Sequence, residues 1–149
     1  MHLKGSCHCG AVKFRLRSDS PIPFMHCYCT ICRKTAGGGG YAINLGGDAN
    51  TIKVTGEKNI GIYHALMREK GKRTKRSPAK RHFCLKCGSA LWLWDPRWPE
   101  LIHPHASAID TPLPKPPKSS KPHSRTPRTG SMCRRVRSMC TAGSGRGNR

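Results

Sequence analysis

His82-Phe83-Cys84-Leu85-Lys86-Cys87-Gly88-Ser89 is the most informative stretch of the chain. Two cysteines with two residues between them, followed by glycine, form a zinc knuckle. The glycine permits a tight turn whose N–H groups point at the thiolates while both sulfurs face one ion. A closed tetrahedral site takes four ligands, so the knuckle calls for a second thiol pair.

Cys7 and Cys9, in Gly5-Ser6-Cys7-His8-Cys9-Gly10, supply it. The following Ala11 to Leu16 alternates apolar and basic residues as a half-buried strand does. If this first strand carries both thiols, their spacing of two sends them off one face toward the same ion. Cys7, Cys9, Cys84 and Cys87 then make one complete structural zinc centre, tying the N-terminal strand to the knuckle across more than seventy residues. The remaining group is Cys27-Tyr28-Cys29-Thr30-Ile31-Cys32, followed by Arg33 and Lys34. Three thiolates can share a second zinc and leave its fourth position open, the mark of a reactive centre. His26, His8 or His64 is the alternative fourth ligand, which would make the centre purely structural. Thr30 is expected to cap a short helical turn through Lys34.

The chain has 149 residues, enough for one modest core. Met1 to Gly10 is polar and basic without an apolar run, which argues against a signal peptide or membrane span and for a cytoplasmic protein, with the nucleus as the alternative. In a reducing compartment nine cysteines read as metal ligands rather than as a disulfide framework, and an odd number cannot all pair within one chain. The formal charge of +21 suggests a nucleic-acid partner. Its distribution weakens that reading: ten of the Lys and Arg residues follow Asp110, and a second cluster runs from Arg68 to Arg81.

Between the motifs, Pro21-Ile22-Pro23 reads as a turn, and Tyr41 to Leu45 and Thr51 to Thr55 as short strands around Gly46-Gly47-Asp48. Gly37 to Gly40 lacks the Gly-Lys-Ser/Thr that a phosphate-binding loop requires. Ile60 to Leu66 fits neither template well, and Met67 to Lys80 has the basic composition of a solvated loop. Ala90 to Trp94 alternates as a strand, with Trp92 and Trp94 read as core aromatics rather than a ligand cage. Pro104 points to an edge strand within Ile102 to Ile109. Thr111 to Arg149 has no aromatic residue and reads as a disordered basic tail, with Cys133 and Cys140 as free thiols. The domain is taken as residues 1–114 and the tail as 115–149.

The three ordered motifs, Gly5 to Val12, His26 to Lys34 and Phe83 to Ser89, resemble the glutathione-dependent formaldehyde-activating enzyme family, also called the centromere protein V family. The resemblance runs from about Leu3 to Pro114 and includes Asp95-Pro96-Arg97 and Ala106 to Asp110. It implies a mainly β fold, a zinc-stabilised β-tent of antiparallel sheets, with structural zinc on Cys7, Cys9, Cys84 and Cys87 and catalytic zinc on Cys27, Cys29 and Cys32. The implied activity is that of a carbon-sulfur lyase joining glutathione to formaldehyde as S-hydroxymethylglutathione. Arg33 and Lys34 are candidates to attract the peptide's carboxylates. The chain departs from the family after Asp110, where an ordered aromatic segment gives way to basic low-complexity sequence in the manner of a truncation or a reading-frame change. The rival from another class is a non-catalytic zinc module contacting nucleic acid or chromatin through its basic segments.

Overall fold

Period-two burial dictates the first hairpin. In a computed structural model describing residues 1–19, 25–68, 71 and 73–115, His2–Ser6 (β1) and Lys13–Arg17 (β2) bury every second side chain. Leu3 faces Leu16 and Gly5 faces Phe14 across the antiparallel pair. In chain order there follow Met25–Cys27 (β3), the helix Thr30–Ala36 (α1), Ala42–Asn44 (β4), Gly47–Asp48 (β5), Lys53–Thr55 (β6) and Ile60–Tyr63 (β7). Leu66–Met67 (β8), Lys75–Arg76 (β9), Lys80–Cys84 (β10), Ala90–Trp94 (β11) and Leu101–Pro104 (β12) complete the described strands.

Two sheets carry the architecture: β1-β2-β6, and the five-stranded β5-β12-β11-β10-β7, with every recorded pairing antiparallel. Leu3, Phe14 and Leu16 from the first sheet and Leu91, Trp92 and Ile102 from the second join Val12 and Leu45 in one core. Phe14 meets Trp92 edge to face at 5.0 Å between ring centroids. Trp92 is buried and Trp94 packs against the margin of the core, as aromatic covering of a small sheet requires. Two ribbons, β3-β4 and β8-β9, flank the sheets. Among the described residues no helix is long and apolar enough to cross a membrane.

A close approach fixes Gly5. A Cβ at this position would run into the Phe14 ring and the Ala108 carbonyl. The contact lets the late segment lie against β1, where Lys4 N–H donates to Thr111 Oγ1 and Asp110 N–H donates to the Lys4 carbonyl, both at 2.8 Å.

Several sequence expectations are revised. Cys7 and Cys9 occupy the turn between β1 and β2 instead of a strand, because the chain must reverse there and Gly10 adopts a φ of 72°. The strands on either side of Gly46-Gly47-Asp48 do not pair with each other: β4 joins β3, β6 joins β2, and Gly47–Asp48 is itself a strand beside β12. That arrangement puts β12 inside the sheet, with Pro104 at its last residue, where no further ladder bond is lost. Ile60 to Leu66 resolves into β7 and the start of β8, and the basic loop contains the short β8-β9 ribbon. The cap of α1 is Cys29, not Thr30. The Pro21-Ile22-Pro23 turn and the basic tail from residue 116 lie outside the described residues.

Leu91 has no exposed surface. Leu91→Ala should cost about 2–5 kcal/mol in denaturant unfolding at unchanged metal content, the range for truncating a leucine in a packed core. Asp95 offers a pH test. Arg97 donates to its carboxylate at 2.6 Å, and this ion pair holds the carboxyl below its ordinary value of 3.8 against the opposing effect of burial. A depressed carboxylate contributes stability above its unfolded-state pKa and loses it as pH falls through the lower folded-state value. Urea titrations of Asp95→Asn should therefore show a flatter decline of stability below about pH 4 than the parent chain shows.

Candidate metal centres

The two ends of the core domain meet in the first cluster. Cys7 and Cys9 come from the β1-β2 turn, Cys84 ends β10, and Cys87 lies in the next turn. That turn closes through Gly88 N–H donating to the Cys84 carbonyl at 2.8 Å, with Gly88 at φ 73°, a conformation glycine adopts without strain. The four sulfurs all lie within 4.8 Å of one another. Cys7 and Cys9 Sγ are 3.5 Å apart and Cys9 and Cys84 Sγ 3.8 Å. A tetrahedral zinc with bonds near 2.3 Å sets its sulfurs about 3.8 Å apart, so the spacing fits that ion. Val12 N–H donates to Cys7 Sγ at 3.2 Å, and Ser89 Oγ accepts from His8 N–H at 3.1 Å, binding the two turns together.

Proton affinity is unevenly shared among these thiols. Ser89, through its hydroxyl and backbone N–H, pulls Cys87 down to about 5. At Cys9 the Ala11 backbone N–H lowers the pKa, but desolvation and the neighbouring sulfurs outweigh it and raise the thiol to about 11. Desolvation works against ionisation of Cys7, yet Val12 N–H and the sulfurs of Cys9 and Cys84 hold it below the ordinary range. Four thiolates at this separation repel strongly without a cation among them.

The second cluster is built around one short helix. Cys27 ends β3, Cys29 caps α1 and Cys32 lies in its first turn, with all three sulfurs mutually within 4.8 Å. Cys27 and Cys29 Sγ are 3.4 Å apart, and Cys32 N–H donates to Cys29 Sγ at 3.3 Å. The local spacing explains the geometry: a helix cap is the one place where residue i receives the N–H of i+3, so the Cys-x-x-Cys spacing makes a ligand and a cap of the same sulfur. The Cys27 sulfur, with burial, pushes the Cys32 thiol well up, opposed by the charge of Arg81. This donor set also suits a soft divalent ion.

Among the described residues no histidine joins either cluster. His26 stacks flat on Tyr41 at 4.7 Å, His64 Nδ1 meets the Ser77 carbonyl at 3.1 Å, and His8 is exposed. Arg33 and Lys34 are exposed in the last turn of α1, where they complement the carbonyl end of the helix. Cys133 and Cys140 are outside the described residues.

Sequence reading missed the groups around a pocket of about 280 Å³ beside α1, whose walls include Thr35, Tyr63, Arg81, His82 and His105. Burial lowers His82 and His105 each to about 4, so both imidazoles are neutral near pH 7. His105 Nδ1 lies 2.9 Å from Asn44 Oδ1, and with that oxygen as acceptor the ring carries its proton on Nδ1. No local motif marks these residues. Arg81 looked like the end of a basic run, and only the pairing of β10 with β7 and β11 turns it inward.

Comparison with known proteins agrees with the motifs. A profile of the family described as "Glutathione-dependent formaldehyde-activating enzyme" matches residues 2–126. A Halomonas elongata protein named for the same family is 63% identical over 118 residues, covering 79% of this chain and 72% of that relative. A crystal structure of a Rhodobacter sphaeroides protein aligns with a TM-score of 0.57 at 24% identity, covering 74% of this chain and 91% of that one, and supports the fold. With a family match across most of its length and cysteine clusters where the family motifs stand, this chain belongs to the glutathione-dependent formaldehyde-activating enzyme family.

Proposed function

We propose that the protein is a zinc-dependent carbon-sulfur lyase acting on a small thiol adduct, S-hydroxymethylglutathione being the leading case. The observation that carries this reading is the three-sulfur cluster with no fourth protein ligand among the described residues. Cys27, Cys29 and Cys32 hold the catalytic zinc in this reading; Cys7, Cys9, Cys84 and Cys87 hold the structural one, giving two ions per chain. A zinc at the triplet supplies Lewis acidity and favours the thiolate form of a thiol brought to it.

The protein's own groups contribute position and proton control. The Cys29 cap fixes the triplet to α1, so the sulfurs keep their spacing as substrate arrives. Joining a thiol to formaldehyde forms one C–S bond, sends the carbonyl π pair to oxygen, and moves one proton from sulfur to that oxygen. His82 and His105, neutral at pH 7, are able to receive a proton at the pocket wall and return it. Holding both reactants in one pocket adds the advantage of proximity. The described cysteines are all free thiols, which fits a reducing, cytoplasmic setting where glutathione is abundant. Residues 1–114 form the catalytic domain in this reading and 115–149 a basic appendage.

Metal analysis of the purified chain should return two zinc ions. Cys29→Ser should release one of them while leaving the fold intact, because serine retains the cap; a circular dichroism spectrum showing an unfolded chain would show that the assignment of roles is wrong. Cys84→Ser, by contrast, should unfold the domain, since a structural zinc contributes directly to folding. Turnover of glutathione with formaldehyde, run beside a salt-dependent DNA titration, separates the enzyme from a nucleic-acid-binding module: the lyase gives turnover that Cys29→Ser abolishes, whereas the rival gives affinity falling steeply with salt and no turnover.

A further inference from the structure

Asn44 and His105 are both buried, at 6% and 2% exposure, and a hydrogen bond of 2.9 Å runs from His105 Nδ1 to Asn44 Oδ1. Among the described residues it is the one hydrogen bond between two side chains that is buried at both ends. A buried polar group that loses its partner bears its full desolvation cost, so such a pair tolerates little displacement.

The bond joins two parts of the molecule. Cys27, Cys32 and Ala42 form an apolar cluster of their own, apart from the main core. Across the β3-β4 ribbon Cys27 is opposite Ala42, and Met25 is opposite Asn44. Alternation puts Ala42 and Asn44 on one face, with Asn44 diagonal to Cys27, a relation that sets residues roughly 7–8 Å apart. On the other side of the bond, His105 directly follows β12, and its N–H donates to the Leu91 carbonyl of β11 at 3.0 Å. An isolated bridge also pairs the backbones of Asn44 and His105. Leu45, fully buried in the main core, anchors the next position, but apolar contact is non-directional and leaves the angle of the ribbon free. The hydrogen bond is directional and sets it.

We infer that Asn44 is a positioning residue of the cysteine triplet: through His105 it fixes the ribbon carrying Cys27 to the five-stranded sheet, so a metal ion held by Cys27, Cys29 and Cys32 depends on it, while one held by Cys7, Cys9, Cys84 and Cys87 does not. The inference rests on the reading that the triplet takes zinc, but it needs no turnover. The four-sulfur cluster supplies the contrast, because its ligands come from the β1-β2 turn and the knuckle and none belongs to the β3-β4 ribbon. General loss of stability loosens that cluster as well, since it joins Cys9 and Cys84, 75 positions apart. Selective loss at the triplet is the mark of positioning.

Competition of the zinc-loaded full chain with a chromogenic chelator tests this, with Cys29→Ser run alongside to identify which ion leaves. Asn44→Ala should weaken the triplet's ion about ten- to a hundredfold, the scale for removing an outer group that orients metal ligands, with the other ion held as in the parent chain. Asn44→Asp keeps an oxygen acceptor for His105 Nδ1–H and should restore most of the affinity. Equal weakening of both ions, weakening of neither, or an Asn44→Asp chain no better than Asn44→Ala would each overturn the inference. If Asn44→Ala fails to fold, His105→Phe, which keeps an aromatic ring and removes the donor, decides by the same measurement from the other end of the bond. A parent chain that holds one ion only overturns this inference and the two-zinc reading together. Selective loss at the triplet, in a chain that does not turn over glutathione and formaldehyde, sinks the lyase reading and leaves this one standing; turnover with both ions equally weakened does the reverse.

Discussion

The gathering of four cysteine sulfurs at one point is the constraint on which the rest of this domain turns. Four cysteine sulfurs from two turns, with Cys9 and Cys84 separated by 75 positions, are held within 4.8 Å. Ionised, they cannot coexist at that distance without a cation; protonated, they give a few weak S–H contacts in return for closing a long loop. The neighbouring core is small, and Cys7 and Cys84 belong to it, so the cluster adjoins the packed interior. A fold of this size gains from such a cross-link what a larger protein obtains from additional buried area.

The second cluster differs in how its ligands are supported. Its three sulfurs come from a stretch of six residues, so gathering them costs little chain entropy and stabilises little beyond the local turn. The division of labour proposed above fits this contrast: a cluster that closes a long loop is suited to sustaining the sheets, and a local one to presenting an incomplete shell. A pocket beside α1 is lined by unusual groups for a small domain, two neutral imidazoles and Arg81, whose Nε and Nη1 are unpaired. Clusters of perturbed groups beside a pocket mark functional sites more often than structural ones.

Much of this was legible before any coordinates. The spacing of Cys84, Cys87 and Gly88 is a local signal because a knuckle turn is made by neighbouring residues, and the family motifs followed from the same short stretches. Alternation gave β2 and β11 for the same reason, while the separate strand β1 was not read. What failed was pairing. Nothing in Ala42 to Asn44 or Lys53 to Thr55 says that each pairs with a strand earlier in the chain, and a two-residue strand such as Gly47–Asp48 has no period to detect. Arg81 was missed on similar grounds, because a basic residue in a basic segment becomes exceptional only once its neighbours across the sheet exclude water.

The contact of the late segment with β1 bears on how the chain folds. The outer edge of the first hairpin is completed by Ile109, Asp110 and Thr111 lying against Lys4 and Gly5. The Lys4–Thr111 bond joins positions 107 apart, so this edge of the hairpin closes only against the loop entropy of a long intervening segment. The hairpin itself is a local pairing of β1 with β2, whereas the knuckle and this clasp are contacts of high sequence separation, the kind that forms slowly and depends on the rest of the domain being in place.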